Sequence, residues 1–324
     1  MLSGLCVMQK HMKTAQQTFP ELNKALGVDI YLKREDQHKY GSHKGRSIPL
    51  MIKRYAKGER IKTEDGLEEI GPAYTNFVIS SSGNAAIAAI HAIQAHNRNN
   101  DEKLNLTVLV GHHINPEKLK ILTTLIEDKN IKLKQVEKPK QSAFQIEKEN
   151  PHVKYLRQST DDSALLGYYE LADELNRIPN LEAIFIPTSS GTTAQALGEA
   201  FDYIPPSKWG GKQKPQIHIV QTTACHPIAK KFDTDFTTTD VSPAGAIVDK
   251  IAHRKDKVVN IIKKTNGCGW VVCDEDIHQA QKLIEDTCNI LVSPNAALSI
   301  AGLKKSLEKG RTYTGVIVCL LTGM

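Results

Sequence analysis

The 324 residues predict an α/β fold with mostly parallel sheets, organised as two interleaved lobes. Three observations carry this. Short β-branched runs alternate with helix-length amphipathic segments, the rhythm of strand–helix–strand units, because parallel neighbours need a crossover between them. A chain of this length has room for about two domains. No obvious linker, internal repeat or low-complexity tract divides it, so the lobes share the chain rather than follow one another. The smaller lobe is expected over residues 48–158 and the larger over 1–47 plus 159–324.

Taken in order, the first helix of interest begins near Lys44. Thr75–Ser80 (TNFVIS) reads as a buried strand and feeds a helix from Asn84 to Ala95. Leu106–Val110 (LTVLV) is the next strand, and Pro116 opens a helix towards Asp128. Proline suits a first helical turn because its missing N–H would have no intrahelical partner there. Ile131–Val136 and Val153–Arg157 are shorter strand candidates. A single helix is predicted over Ser163–Asn176, then a strand over Ala183–Ile186 and, after a hydroxyl-rich turn, a helix to Phe201. Ile217–Gln221 and Gly315–Leu320 (GVIVCL) are apolar strands. The helix Pro294–Leu307 gathers Ala297, Ile300, Ala301 and Leu307 on one face. Lys57–Ala73, Asn97–Asn105 and Pro205–Pro215 read as loops.

Composition excludes several classes. Apolar residues make up 40% and charged residues 24%, ordinary globular usage. No run approaches the ~18 uncharged apolar residues of a membrane helix. The opening residues lack the plan of a secretory signal, and six cysteines without a CxxC pair suit reduced thiols, so the cytoplasm is expected. The net charge is +6, and the stretch Glu102–Arg157 holds 11 basic and 7 acidic residues with Phe144 and Tyr155 as its only aromatics. Basic and acidic residues interleave there, which reads as solvated helix faces and not as a nucleic-acid stripe. The positive balance suits an anionic ligand. His112-His113 lacks any accompanying metal-ligand spacing and reads as a turn, and Gly267–Val272 (GCGWVV) reads as a turn without the third glycine of a dinucleotide fingerprint. No metal is expected.

Four local patterns carry chemistry. Tyr31–Asp36 (YLKRED) followed by Tyr40–Arg46 (YGSHKGR) puts Lys44 at a helix start, where burial and the positive helix end depress an amine towards imine-forming reactivity. Taken alone, the segment reads sooner as a surface lysine beside a basic turn. Ser80–Asn84 (SSSGN) stands at a strand-to-helix junction, where hydroxyls and backbone N–H groups make a nest for a carboxylate, or simply an N-cap. Pro187–Thr193 (PTSSGTT) has the plan of a phosphate cradle without a Walker lysine, so nucleotide-triphosphate chemistry is not indicated. Thr322-Gly323 follows an apolar strand at the carboxyl edge, where open α/β sheets bind ligands.

Together, in this order, these patterns resemble the fold type II pyridoxal-phosphate enzymes of the tryptophan synthase β and cysteine synthase family, with threonine synthase the most similar. The likeness runs through KRED…GSHKGR, SSSGNAA, PTSSGTTAQALGEAF, SPNAALSIAGL and LLTG, nearly the whole chain. It implies two three-layer lobes with pyridoxal 5'-phosphate in the cleft. It implies that Lys44 carries the cofactor and, once freed by the substrate amine, shuttles the α-proton. Asn84 would bond the phenolic oxygen, while Ser81, Ser82 and Gly83 would hold the substrate carboxylate. Ser189, Ser190, Gly191, Thr192 and Thr193 would bind the phosphate, and Thr322 would face the pyridine nitrogen. A neutral hydroxyl there makes the cofactor a weaker electron sink than a carboxylate would. The implied reaction is β/γ-elimination or replacement on an amino acid, such as a phosphorylated homoserine, serine or threonine. A serine/threonine dehydratase or cysteine synthase-like activity is the alternative.

Departures are local. Hydroxyl residues occupy phosphate-loop positions that are usually glycine. Ala85 and Ala86 stand where relatives often have Thr or His. His43 replaces the aromatic residue usual in threonine synthases, as in tryptophan synthase β chains, and Val292 and Ser293 stand where those synthases tend to carry an acid. The altered loop motivates a reading of another class, a non-catalytic binding or regulatory protein that keeps the fold. A plain nucleotide-binding domain is a third reading. A homodimer, by analogy, with no nucleic-acid or membrane partner, completes the expectations.

Overall fold

The computed structural model describes residues 13–323 apart from 59–60, 64–65, 69–72 and 206–212, with side chains described outside 59–72. Two sheets organise it. The larger runs Gln16–Gln17, Ile30–Arg34, Val316–Leu321, Leu181–Pro187, Gln216–Thr222, Cys268–Val272, parallel throughout except for the two-residue edge strand at Gln16. The smaller runs Ile131–Val136, Asn105–Gly111, Asn76–Ser80, Val153–Tyr155, all parallel. The chain starts in the larger sheet, leaves to build the smaller one, and returns.

The apolar runs are continuous because these strands are covered on both faces. Along Val316–Leu321, Val318 and Leu320 enter one core with Ile184, Ile186 and the helix Thr192–Tyr203. Ile317, Cys319 and Leu321 enter the opposite core with Phe185, Val220 and the helix Pro294–Glu308. That two-residue alternation is what places a helical layer on each side. In the smaller sheet Phe77 and Ile79 face the helices Lys44–Lys57 and Asn84–Asn99, while Val78 and Leu109 face Ala143 on the helix Pro139–Glu149.

Two expectations are corrected. Gly267–Val272 is not a turn; Cys268–Val272 is an edge strand parallel to Gln216–Thr222. The glycines admit close backbone approach: a Cβ on Gly267 would lie 1.9 Å from the Ile217 carbonyl oxygen. The helix over Ser163–Asn176 is two pieces, Ser163–Leu166 and Tyr169–Leu175. They meet at Gly167, where a Cβ would lie 2.5 Å from the Arg46 carbonyl, so the break lets the Lys44 helix pass close by. His112 and His113 do form a turn. Within the region read as a loop, Ile61–Thr63 pairs antiparallel with Gly66–Glu68. The middle of the Pro205–Pro215 loop, and Cys6, lie outside the described residues. The five cysteines among them are unbridged, with Cys225 and Cys319 buried.

Candidate active site

Parallel sheets bring the carboxyl ends of their strands, and hence the N-termini of the following helices, to one edge. Here Ile30–Arg34 leads to the Lys44 helix, Asn76–Ser80 to the Asn84 helix, and Leu181–Pro187 to the Thr192 helix. Val316–Leu321 ends at Thr322. A cavity of two adjoining chambers opens at this edge. Lys44, Ser81, Ser82, Gly83, Asn84 and Thr322 line the wider one, of about 760 Å³. Lys44, Ser81, Ser189, Ser190, Gly191, Thr192, Thr193 and Thr322 line the narrower one, of about 240 Å³. Every site residue expected from the sequence therefore borders one continuous space, of a size suited to a cofactor with a small substrate.

Lys44 is the first residue of its helix. Burial alone lowers its ammonium from the ordinary lysine range to about 8, with no carboxylate pulling the other way. The helix sits this close to the preceding turn because residue 45 is glycine: a Cβ there would lie 2.2 Å from His38 Nδ1. His43 lines both chambers, and its Nδ1 lies 2.7 Å from the Thr322 carbonyl oxygen. A carbonyl only accepts, so Nδ1 carries the proton. Burial, aided by the Lys44 charge, holds the His43 imidazole down at about 3, so it is neutral at working pH. The His43 backbone N–H donates to the same oxygen at 3.0 Å, which pins the strand end that carries Thr322. Gly323, at φ 151°, completes the corner, since a Cβ there would lie 2.8 Å from Asn84 Nδ2.

The two anion-binding candidates are built alike. Gly83 is the N-cap of the Asn84 helix and Gly191 that of the Thr192 helix, and no side chain caps either one. In the first, the Gly83 N–H donates to Ser81 Oγ at 3.3 Å and the Ala86 N–H to the Gly83 carbonyl at 2.9 Å, so the cavity is offered the remaining N–H groups of each first turn. Gly191 sits at φ 91°, a conformation glycine adopts freely, and packs against Val258. The hydroxyls around it are largely engaged. Ser189 Oγ accepts from the Val248 and Asp249 N–H groups at 3.1 and 3.2 Å. Thr192 donates to the Gln158 carbonyl at 3.1 Å, so Ser190, 2.9 Å from Thr192 Oγ1, donates to it. Tyr168, fully buried, bonds Thr193. Contacts to a phosphate therefore fall mainly to the backbone N–H groups.

Sequence reasoning missed three parts of the site. The first is the segment Gly245–Asp249, which crosses both chambers and is held by Ser189 and, through the Ala246 N–H, by Asn295 Oδ1 at 2.9 Å. The second is Arg254, which is buried and bonds the Asp161 carbonyl, Asp162, Gln195 and the Gln158 carbonyl that Thr192 also bonds, tying it to the start of the Thr192 helix. The third is a buried cluster behind the Lys44 helix. The Arg46 guanidinium grips Glu35 at 2.7 and 2.8 Å and Glu174 at 2.9 and 2.8 Å. Lys33 bonds Glu174 and the Thr14 carbonyl, and Thr14 bonds Glu35. The mixed charges of KRED hinted at this cluster. Glu174, some 140 positions away, carries no local signal.

Comparison with known proteins agrees with this geometry. A family model described as pyridoxal-phosphate dependent enzyme matches residues 7–323. The threonine synthase of Methanocaldococcus jannaschii is 27% identical over 316 residues, 93% of this chain and 72% of that protein. The processed form of threonine deaminase isoform 2 from Solanum lycopersicum superposes with a TM-score of 0.73 at 18% identity, over 96% of this chain and 84% of that one. Maize serine racemase also gives 0.73, at 16% identity over 96% and 88%. At these identities the solved structures are relatives in fold.

Proposed function

The chain belongs to the pyridoxal-phosphate dependent enzyme family, and from that membership we propose that it catalyses β- or γ-elimination or replacement on an amino acid, in the manner of a threonine synthase. The observation that carries the reading is a buried lysine amine, without an ion pair among the described residues, in one cavity with two helix N-termini that no side chain caps. That donor set suits a group with an aldehyde at one end and a phosphate at the other. Gly191, Thr192 and Thr193 would hold the phosphate by backbone N–H groups, with Ser189 and Ser190 shaping the loop. Asn84 would meet the phenolic oxygen and Thr322 the ring nitrogen. Bound there, pyridoxal phosphate would supply an electron sink that acidifies an amino acid's α-carbon and lets a β or γ substituent depart.

The chain's own residues do the rest. Ser81, Ser82 and Gly83 receive the α-carboxylate at a helix N-terminus. Lys44 Nζ, lowered towards neutrality, takes the α-proton and returns it. The neutral His43 leaves Lys44 the basic group of the pocket. Thr322 offers a hydroxyl and no charge, so expulsion of a substituent is favoured over prolonged carbanion chemistry. The smaller lobe, residues 48–158, would carry the carboxylate nest, and 1–47 plus 159–324 the lysine and phosphate loop. A cytoplasmic setting fits the unbridged thiols, a homodimer is carried over by analogy of fold, and no described helix is long and apolar enough to cross a membrane.

Purified protein incubated with pyridoxal phosphate and offered L-serine, L-threonine, O-acetyl-L-serine and O-phospho-L-homoserine tests the proposal. Visible absorbance that shifts with at least one amino acid, with product formed, is expected. A 2-oxo acid with ammonia marks elimination, and a new amino acid marks replacement or a synthase. Protein that takes up no cofactor, or loads and turns over none of them, overturns the proposal in favour of a binding module.

A further inference from the structure

Resting on the reading above for the cofactor, we infer that Ser189 is a positioning residue: its hydroxyl links an anion seated in the narrower chamber to the segment Gly245–Asp249, so that anchoring the cofactor's phosphate also fixes one wall of the substrate chamber. The segment belongs to both spaces. Ala246 and Val248 border both chambers, Ile247 and Asp249 the narrower one, and Gly245 the wider one. No helix or strand contains it, and Gly245, Ala246 and Val248 are exposed, so few contacts decide where it lies.

Its backbone donors show what those contacts are. The Gly245 and Ile247 N–H groups close local turns onto the Pro243 and Ala244 carbonyls. The other three reach outside the segment. Ala246 donates to Asn295 Oδ1, and Val248 and Asp249 both donate to Ser189 Oγ. Beside the buried Ile247 side chain, two polar side chains therefore hold the segment. Ser189 is itself fixed. The buried Gln221 amide donates to the Thr188 and Ser189 carbonyls, while its Oε1 accepts from the Ile228 and Ala229 N–H groups.

A hydroxyl oxygen has two lone pairs and one proton. At Ser189 the segment takes both lone pairs, and the proton has no acceptor among the described residues. Its neighbours differ: Thr188 donates to the Ile186 carbonyl, Ser190 to Thr192, and Thr192 to the Gln158 carbonyl. Ser189 thus keeps a donor for the narrower chamber, which it borders together with Lys140 and Arg157. The Asp249 carboxylate borders it too, with Oδ1 accepting from the Ala252 N–H. A phosphate that accepts from Ser189 makes the hydroxyl oxygen a better acceptor in turn, because hydrogen bonds in a chain polarise one another. The two N–H bonds from the segment tighten when the phosphate is in place.

Amide hydrogen exchange at Val248 and Asp249 tests this in wild type, S189A, S189T and N295A, each alone, with saturating inorganic phosphate and with saturating pyridoxal phosphate. Both ligands are expected to slow the two amides of wild type by about 5-fold or more, the size of one hydrogen bond. The slowing should drop below about 2-fold in S189A, return in S189T and persist in N295A, which frees only the Ala246 end. A serine with a merely structural role would leave S189A faster than wild type by one factor in every state, with the slowing intact, and that result overturns the inference. In the loaded protein S189A should raise KM for the amino acid that turns over by about 5-fold with kcat within about 2-fold; the reverse split also overturns it. Slowing by inorganic phosphate in a protein that takes up no cofactor fails the cofactor reading and keeps the link through Ser189. No slowing by either ligand overturns the link.

Discussion

Lys44→Ala is expected to lower turnover by about 10³-fold or more, because on the proposed function it removes both the group that would carry the cofactor and the base at the α-carbon. The same substitution should leave the thermal midpoint unchanged or slightly raised. Among the described residues the Lys44 ammonium has no ion pair, and burial already disfavours its charge. A methyl group in its place leaves no partner stranded. The pairing of a large kinetic loss with no loss of stability separates a chemical lysine from a structural one. Turnover and differential scanning calorimetry on the same preparations check it. A variant that keeps more than a tenth of wild-type turnover contradicts the assignment, and one that unfolds assigns Lys44 to the core.

Glu174→Ala should show the opposite signature, a fall of about 3–5 kcal/mol in unfolding free energy. Arg46 and Lys33, both buried, share this carboxylate. With it gone, Glu35 is the one buried carboxylate left for two buried cations, the partly exposed Glu170 standing 3.8 Å from Arg46. The pH dependence has a definite sign. Despite burial, which opposes it, bonding to Arg46 and Lys33 holds the Glu174 carboxyl below the ordinary glutamate range. A folded value below the unfolded one stabilises the protein above the unfolded value, and this is lost as pH falls through the folded one. Lys33 is itself lowered, since its burial outweighs its attraction to Glu174, so the pair is not a simple gain. Denaturant unfolding of wild type and Glu174→Gln from pH 7 down to about 3 should give a steep acid limb in the first and a flatter one in the second. Parallel limbs would contradict this account of the cluster.

The two substituted residues are linked through one helix, since Arg46, two positions after Lys44, bonds Glu174, yet their legibility in sequence differed. Lys44 was legible because its cues are local: a glycine-flanked turn, a helix start, and companion motifs in a fixed order. Ser81–Asn84 and Ser189–Thr193 were legible for the same reason, since a strand, a short polar turn and a helix are all contiguous. Strands such as Val316–Leu321 announced themselves by unbroken apolar runs. The edge strand Cys268–Val272 did not, because its glycines answer to a neighbouring backbone that local pattern cannot reveal. The break at Gly167 is likewise set by the passing Lys44 helix. Glu174 depends on which side chains the crossovers bring together, a property of topology and not of spacing.

The central claim is that one lysine, at position 44, bonds to pyridoxal phosphate in this cavity. Loading the protein with cofactor, fixing it with borohydride and mapping the modified peptide by mass spectrometry tests it most directly. A single pyridoxyl-phosphate adduct on Lys44, absent from Lys44→Ala, is the expected result. An adduct on Lys33, Lys118, Lys138 or Lys140 in place of Lys44, or no adduct at all, would contradict it.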